Sequence, residues 1–350
     1  MIFYIIFIFV VTSLLLVQYY YPIQQKVLDV IVFVILVLIS GFRKRIGGDY
    51  DSYVSWYLYK KRDADFEFGF LAIMKLFRAL DLSATFLFFF FSFFTCYFVF
   101  FGIKKYTLNS NVALLFYILI PSLYLTSFTL IRQSFSVAIS FYAFYYLIKK
   151  EYLVYLLLIF IGISIHKSCL ITFIVFFLVV RFADKIKAFH LYGLIILSFL
   201  LSRIDFIQLF RIFFEKTRYL YYFSGSEVQV DFFKIVIMNL QGMFVLYYFQ
   251  KLKKKYQYEK YILILYCFSI IFINLFSKNS DLARIVTYFR IFEIIILTDL
   301  IFLEKEYKKN FFLFFYTLYF GAFLIGIKKD FEIQNKNMPK FIPYKNILWS

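Results

Sequence analysis

The chain has little of what redox, metal and nucleotide chemistry need. Its 350 residues hold three cysteines, Cys96, Cys169 and Cys267, far apart and inside or beside apolar runs. No CxxC pair occurs, so disulfide, redox and metal-centre roles are set aside and the cysteines read as small buried hydrophobes. Glycine is scarce, eleven in all, and Gly47-Gly48 does not belong to a Walker motif. Without a glycine-rich phosphate loop, ATP-driven transport is excluded as an activity of this chain. Charge is low as well: 17% of residues are charged, against roughly 25% in ordinary soluble domains.

Apolar and aromatic residues fill the space, at 63% and 25% of the chain, with a mean hydropathy of +0.79. No soluble core hides that much Phe, Ile, Leu and Tyr. Apolar runs recur along the whole length and are separated by short polar or basic connectors. The expected fold is therefore all-α, a single polytopic membrane domain over residues 1–350 with no sizeable soluble part. Candidate spans are 2–22, 27–42, 83–103, 112–130, 133–148, 152–166, 169–181, 189–203, 232–250, 261–277, 283–303 and 311–327. That is about 10–12 transmembrane helices, several shorter than the ~20 residues that cross a bilayer. The segment 67–80, interrupted by Lys75 and Arg78, reads as an interfacial or re-entrant helix. The first run has no basic leader and no small-residue cleavage site, so it reads as a retained helix.

The formal net charge is +18, yet the basic residues do not form a nucleic-acid footprint. They sit in alternate short connectors: Lys104-Lys105, Lys149-Lys150, Arg181 with Lys185 and Lys187, Lys251 with Lys253 to Lys255, and Lys305 with Lys308-Lys309. The positive-inside rule puts such connectors in the cytoplasm. The opposite side carries as many Lys and Arg, mostly in two longer loops, 43–82 and 204–231, and the C-terminal tail, where the rule is weak. The short connectors place the N-terminus, both loops, Arg132, His166, the turn at Lys278 to Arg284 and the tail on the outer face. Partners implied are a lipid bilayer and no nucleic acid.

Three groups of polar residues fall on that face. The first loop reads Arg43-Lys44-Arg45-Ile46-Gly47-Gly48-Asp49-Tyr50-Asp51, then Tyr53 and Trp56. The glycines suit a tight turn, and Asp49 or Asp51 suits a helix cap. The loop serves either as cover for a pocket, with cations for phosphate, carboxylates for hydroxyls and aromatics for sugar faces, or as a solvated loop and capped helix. The second group is a helical hairpin. Ile131-Arg132-Gln133 opens one apolar run, Lys149-Lys150 is the turn, and the return run ends in His166-Lys167-Ser168. Two runs of similar length return Arg132 and His166 to one membrane depth, where a cation and an imidazole are costly enough to suggest a site. Taken singly, Arg132 is a snorkelling anchor and His166 a satisfied helix end. The third group is Asp281-Leu282-Ala283-Arg284 with Tyr288, Arg290 and Glu293. The i,i+3 spacing puts Arg290 and Glu293 on one helix face, where they neutralise each other, while Arg284 is more available to an anion. The loop with Arg203, Arg211, Lys216, Arg218 and Tyr219 to Tyr222 reads as a basic, aromatic surface segment.

These groups together carry a family resemblance. Arg45 to Tyr53, with Glu67-Phe68-Gly69-Phe70, resembles the first signature of the EpsG family of polysaccharide polymerases, relatives of the Wzy O-antigen and capsule polymerases. Ile131-Arg132-Gln133 followed by His166-Lys167-Ser168 is similar to the family's second block, and Arg284 to Tyr288-Phe289 to its later Arg-Tyr element. The likeness runs from about residue 40 to 300, carried by order and spacing. Ser136 departs from it, standing where a small Ala is expected.

The resemblance implies a bacterial inner-membrane glycosyltransferase with its active face outward. It would join oligosaccharide repeat units carried on undecaprenyl pyrophosphate, beside a flippase and a chain-length regulator. No cofactor and no metal are implied. Arg suits a departing pyrophosphate whose charge grows in the transition state; Arg132 and Arg284 are the choices, then Arg45. His166 suits deprotonation of the acceptor hydroxyl near neutral pH, with Asp49 or Asp51 as the carboxylate alternative. Asp51, Tyr53, Gln133 and Tyr288 join Arg45 and Arg284 as substrate contacts. Rival readings are a ligase using the same lipid carrier, which needs nearly the same features, and a lipid-linked oligosaccharide flippase or other transporter. The latter predicts charges along a midplane path and often repeated halves, and no internal repeat is evident.

Overall fold

The computed structural model describes residues 1–21, 25–60, 63–204, 230–333 and 341–348. Among them every regular element is a helix, and the β pairing is one isolated antiparallel bridge, Arg43 to Asn346. The first ten α-helices are α1 Ile2–Tyr20, α2 Gln25–Gly41, α3 Tyr50–Tyr59, α4 Phe68–Ala79, α5 Ala84–Tyr106, α6 Ser110–Leu119, α7 Ile131–Ile148, α8 Tyr152–Ile165, α9 Leu170–Phe182 and α10 Ala188–Leu201.

Among the described residues two helices are long and apolar enough to cross a membrane, Ala84–Tyr106 and Lys308–Lys328, and the pair Phe232–Tyr247 and Phe249–Lys255, bent by 59°, would make a third. Other apolar helices are shorter: α8 and α10 have 14 residues each, short of the ~20 of a full span. The surface of α8 is apolar outward as well as inward. Leu153, Leu157 and Phe160 are exposed on one side, while Tyr155, Ile159 and Gly162 are buried on the other. An exposed apolar stripe of this kind belongs against lipid tails, so the chain is a membrane protein.

Besides the bent pair within 232–250, two further expected spans are broken. Over 112–130, α6 stops at Leu119, because Pro121 supplies no N–H and its ring drives Ile120 to an extended ψ of 108°. A 3-10 turn, Leu125–Phe128, then leads into α7. Over 283–303 the chain is helical in pieces, Ser280–Ala283, Arg284–Val286, Thr287–Arg290 and Glu293–Ile301. The segment expected at 67–80 is α4, a helix with one apolar side. The loop expected over 204–231, with Arg211, Lys216, Arg218 and Tyr219 to Tyr222, lies outside the described residues except at its ends.

The chain divides into two units. In the first, Met1–Phe173 with Glu306–Ser350, α5 packs between α2 and α7, and α7 packs on α8. Small residues set these distances, as in membrane helices generally. A Cβ on Gly102 of α5 would stand 2.7 Å from the Phe141 ring of α7. A Cβ on Gly162 of α8 would stand 3.1 Å from Ile139. At one end of this unit Asp29 of α2 accepts from Gln18 of α1 and Lys104 of α5, so a buried carboxylate ties three helix ends together.

The second unit is Ile174–Lys305. Several of its buried polar groups pair within the unit. Asn239 and Asn274 exchange amide hydrogen bonds at 2.8 and 2.9 Å, and Asn274 also donates to Ser198 at 2.9 Å. Arg290 donates to Glu293 at 2.9 Å and Gln241 to the other carboxylate oxygen at 2.8 Å. The i,i+3 pair thus neutralises itself inside the unit, as its spacing predicts.

Candidate active site

The first unit gathers the hairpin and the first loop around one carboxylate, and three close backbone approaches explain how. On α7, Ser136 lies one turn beyond Arg132; on α8, Gly162 lies one turn before His166. Ser136 Oγ donates to the Gly162 carbonyl at 2.8 Å, and the same carbonyl accepts from the His166 N–H at 3.0 Å. The contact fixes the register of the hairpin, so the two helix ends come level. In the second approach, a Cβ on Gly69 of α4 would stand 2.2 Å from Ser164 Oγ of α8. Gly69 is two residues after Glu67 and Ser164 two before His166, so this approach delivers Glu67 to the end of α8. In the third, Gly47 adopts φ +98°, and a Cβ there would meet the Phe128 carbonyl at 2.0 Å. Only glycine fits both the conformation and the space. The neighbouring Gly48 N–H donates to Thr129 Oγ1 at 3.2 Å, which seats the loop just ahead of α7.

Glu67 is the centre of the result. Its Oε2 accepts from Arg132 Nη1 at 2.7 Å. Its Oε1 accepts the Lys167 N–H at 3.1 Å and faces His166 Nδ1 at 3.5 Å. The second distance is long for a hydrogen bond, and Nδ1 has no hydrogen-bond partner among the described residues. Arg132 also donates from Nε to the Tyr53 hydroxyl at 3.3 Å, and its guanidinium lies over the Phe66 and Phe70 rings at 5.0 and 5.2 Å. Among the described residues that leaves Nη2 as the nitrogen of the fork without a hydrogen bond. Beneath these groups, Tyr53, Phe70, Phe91, Ile131, Phe135 and Ile165 form one buried core that holds α3 and α4 against α5, α7 and α8.

Electrostatics follow from this geometry. Burial alone would raise the Glu67 pKa. The facing His166, the Arg132 charge and the Lys167 N–H overcome it and hold the carboxyl at about 2. Glu67 is therefore ionised at any physiological pH. Burial pushes the Tyr53 phenol up, Arg132 opposes the rise, and the charge of Asp49 adds to it.

The other expected residues are placed as follows. Asp49 is the residue before α3, but its side chain makes no cap bond; Asp51 lies in the first turn. Arg45 and Asp51 are exposed and face each other at 3.6 Å. This pair stands in solvent, where such contacts contribute little. Gln133 is buried in α7. Arg284 and Tyr288 belong to the second unit, Arg284 exposed and Tyr288 fully buried. The Asp281 side chain and its pairing with Arg284 lie outside what the structure describes.

Sequence reasoning missed the role of Glu67 and also that of Arg43. Glu67 was visible as part of a motif, and the signal was available: a cation and an imidazole at a membrane edge need a carboxylate partner. Arg43 was one of three basic residues in a run. It is fully buried, donating from Nε to the Ile46 carbonyl at 3.1 Å, from Nη2 to the Phe128 carbonyl at 2.9 Å and from Nη1 to the Ser40 carbonyl. It lies over the Phe88 and Phe128 rings. Burial pulls its pKa down to about 10, which leaves it charged.

Compared with known proteins, the chain matches the model of the EpsG family over residues 26–346. No curated protein and no solved structure matches it.

Proposed function

Because this chain belongs to the EpsG family, we propose that it is a membrane glycosyltransferase that polymerises oligosaccharide repeat units carried on a lipid pyrophosphate. The carrier in this proposal is undecaprenyl pyrophosphate, and the reaction face is the outer face of a bacterial cytoplasmic membrane. Arg132 opens α7 and Lys149 closes it, so with the basic turn inside, the cluster is outside. The observation that carries the proposal is the Glu67 carboxylate, paired with Arg132 at 2.7 Å and facing His166 Nδ1 at 3.5 Å, at the end of a helical hairpin.

Each side chain has a part in one displacement. A proton on His166 Nδ1, directed at Glu67, leaves the Nε2 lone pair to take the proton of the acceptor hydroxyl; the carboxylate fixes the tautomer and steadies the imidazolium that forms. The hydroxyl oxygen bonds to the anomeric carbon of the growing glycan. The bond from that carbon to the pyrophosphate oxygen breaks, and its electron pair leaves with the carrier. Arg132, with Nη2 unbonded, meets the charge that grows on the pyrophosphate. A single base and a phosphate leaving group suit direct displacement with inversion. Trp56, partly exposed, offers a ring to a sugar face, and the buried Tyr53 supports the Arg132 guanidinium through its hydroxyl. Asp49, Asp51, Arg45 and Gln133 complete the proposed contacts in this unit; Arg284 and Tyr288 enter from the family pattern alone. A flippase and a chain-length regulator are the proposed partners.

The test is genetic. Deletion in the source organism, followed by a gel of surface glycan, is expected to leave a single repeat unit on the carrier or core. Complementation with Arg132→Ala or His166→Ala, at normal protein level, is expected to restore no long polymer. Full-length polymer from either variant overturns the assignment. Polymer left on the lipid carrier, with none attached, identifies a ligase.

A further inference from the structure

The end of α2 is held from two sides, and the two sides meet at Arg43. On one side, residues 341–348 fold back along the chain. Lys44 N–H donates to the Lys345 carbonyl at 2.9 Å and Ile347 N–H to the Phe42 carbonyl at 2.8 Å. These bonds flank the Arg43–Asn346 bridge and make it a non-hydrogen-bonded antiparallel pair, the closer kind. Asn346 is fully buried and donates from Nδ2 to the Leu38 carbonyl at 3.2 Å; the Tyr344 hydroxyl donates to the Ile39 carbonyl at 2.7 Å. Leu38 and Ile39 lie in the last turn of α2, where carbonyls run out of helical partners; the Leu38 carbonyl also accepts the Phe42 N–H at 3.2 Å. The Tyr344 ring stacks on Phe3 at 3.9 Å, and Tyr4 donates to the Phe341 carbonyl at 2.9 Å. On the other side, the Arg43 side chain reaches Ile46 and Phe128, across the base of the Gly47-Gly48 turn.

We propose that residues 341–348 are a positioning strap: they cap α2 and clamp Phe42 to Lys44, so that Arg43 holds the Gly47-Gly48 turn against Phe128 at the entrance to α7. Arg43 and Asn346 are positioning residues and touch no substrate. The functional consequence rests on the polymerase reading above; the structural claim does not.

The two are separated by a labelling experiment on the full chain in lipid nanodiscs. Ile46 is 2% exposed, and Cys96, Cys169 and Cys267 are all buried. In an Ile46→Cys parent that still makes polymer, maleimide labelling is expected to be slow. Adding Tyr344→Ala with Asn346→Ala is expected to speed labelling of that cysteine by about tenfold or more, as local opening replaces a closed loop. The native cysteines should stay unlabelled. Arg43→Lys, which keeps the charge and loses the fork, is expected to do the same. If the strap variant labels its native cysteines it has unfolded, and the Arg43→Lys arm decides. Unchanged labelling at position 46 overturns the strap. Faster labelling with shortened or missing surface polymer supports both the strap and the loop's part in the reaction. Faster labelling with full-length polymer supports the strap and removes the loop from the reaction centre.

Discussion

Ser136 Oγ donates to the Gly162 carbonyl at 2.8 Å, and the close helix contact around this bond sets the level at which Arg132 and His166 meet. Ser136 is fully buried, at a position where the sequence reading expects a small Ala. Ser136→Ala removes one buried hydrogen bond, a loss of about 1 kcal/mol, while Gly162 O keeps its bond from His166 N–H. The variant is expected to make full-length polymer and to melt slightly lower. Ser136→Leu overfills the helix contact, with a cost of about 1–3 kcal/mol. It is expected to shorten or abolish polymer. Glycan gels with melting curves in detergent check both, and normal polymer from Ser136→Leu would mean that the hairpin register is not set here.

Gly69→Ala acts on the second approach. Its Cβ would stand 2.2 Å from Ser164 Oγ and 2.9 Å from the Ser164 carbonyl, which is backbone and cannot turn away. The helix carrying Glu67 must shift. Displacement of about 1 Å in an active site can lower a rate by around 100-fold, so polymer is expected to fall sharply at normal protein level. Phe68→Ala, on the exposed side of α4, is expected to have little effect and is the control. Equal polymer from the two variants would show that the Gly69 approach does not place Glu67.

Glu67→Gln keeps the shape and removes the charge that Arg132 and His166 share. Breaking a largely buried pair on one side leaves the partner uncompensated, at about 3–5 kcal/mol. Little polymer is expected. Because Arg132 and Glu67 act as one unit, Arg132→Ala with Glu67→Ala should destabilise by less than the two single effects added together, with a coupling of about 1–3 kcal/mol. Additive melting shifts would show that the 2.7 Å contact contributes nothing to the fold.

Much of this arrangement was legible in the sequence because it depends on local pattern. Apolar runs marked most helices, and the basic turn at Lys149-Lys150 marked the hairpin. Where prediction faltered, the deciding force was not periodic. Pro121 broke a run that was apolar enough to read as one span. The pairing of Glu67 with Arg132 joins residues 65 apart in sequence, and no periodicity reports such a contact. Arg43 and Arg45, two residues apart, have opposite fates: one is fully buried on three carbonyls, the other exposed beside Asp51. Their residue type is the same, and the difference comes from the turn at Gly47 and the strap at Asn346, both tertiary.

The same carboxylate predicts an acid-dependent stability. Glu67 is held at about 2 in the folded chain, against an ordinary value of 4.5. A group whose folded pKa is depressed contributes stability that is fully present above the unfolded value and is lost as pH falls through the folded one. The contribution is on the order of 3 kcal/mol, present above about pH 4.5 and gone near pH 2. Other carboxylates will also protonate in this window; Asp63, bonded to Arg78, is also held below its ordinary value. The comparison must therefore be with Glu67→Gln, which mimics the protonated carboxyl and shares every other titration. Melting curves in detergent are expected to show a gap between wild type and Glu67→Gln that is constant from pH 7 to about 5. Below pH 4.5 the gap should narrow, and near pH 2 it should close. A gap that stays constant down to the lowest pH would show that Glu67 is not the carboxylate whose charge holds Arg132 and His166.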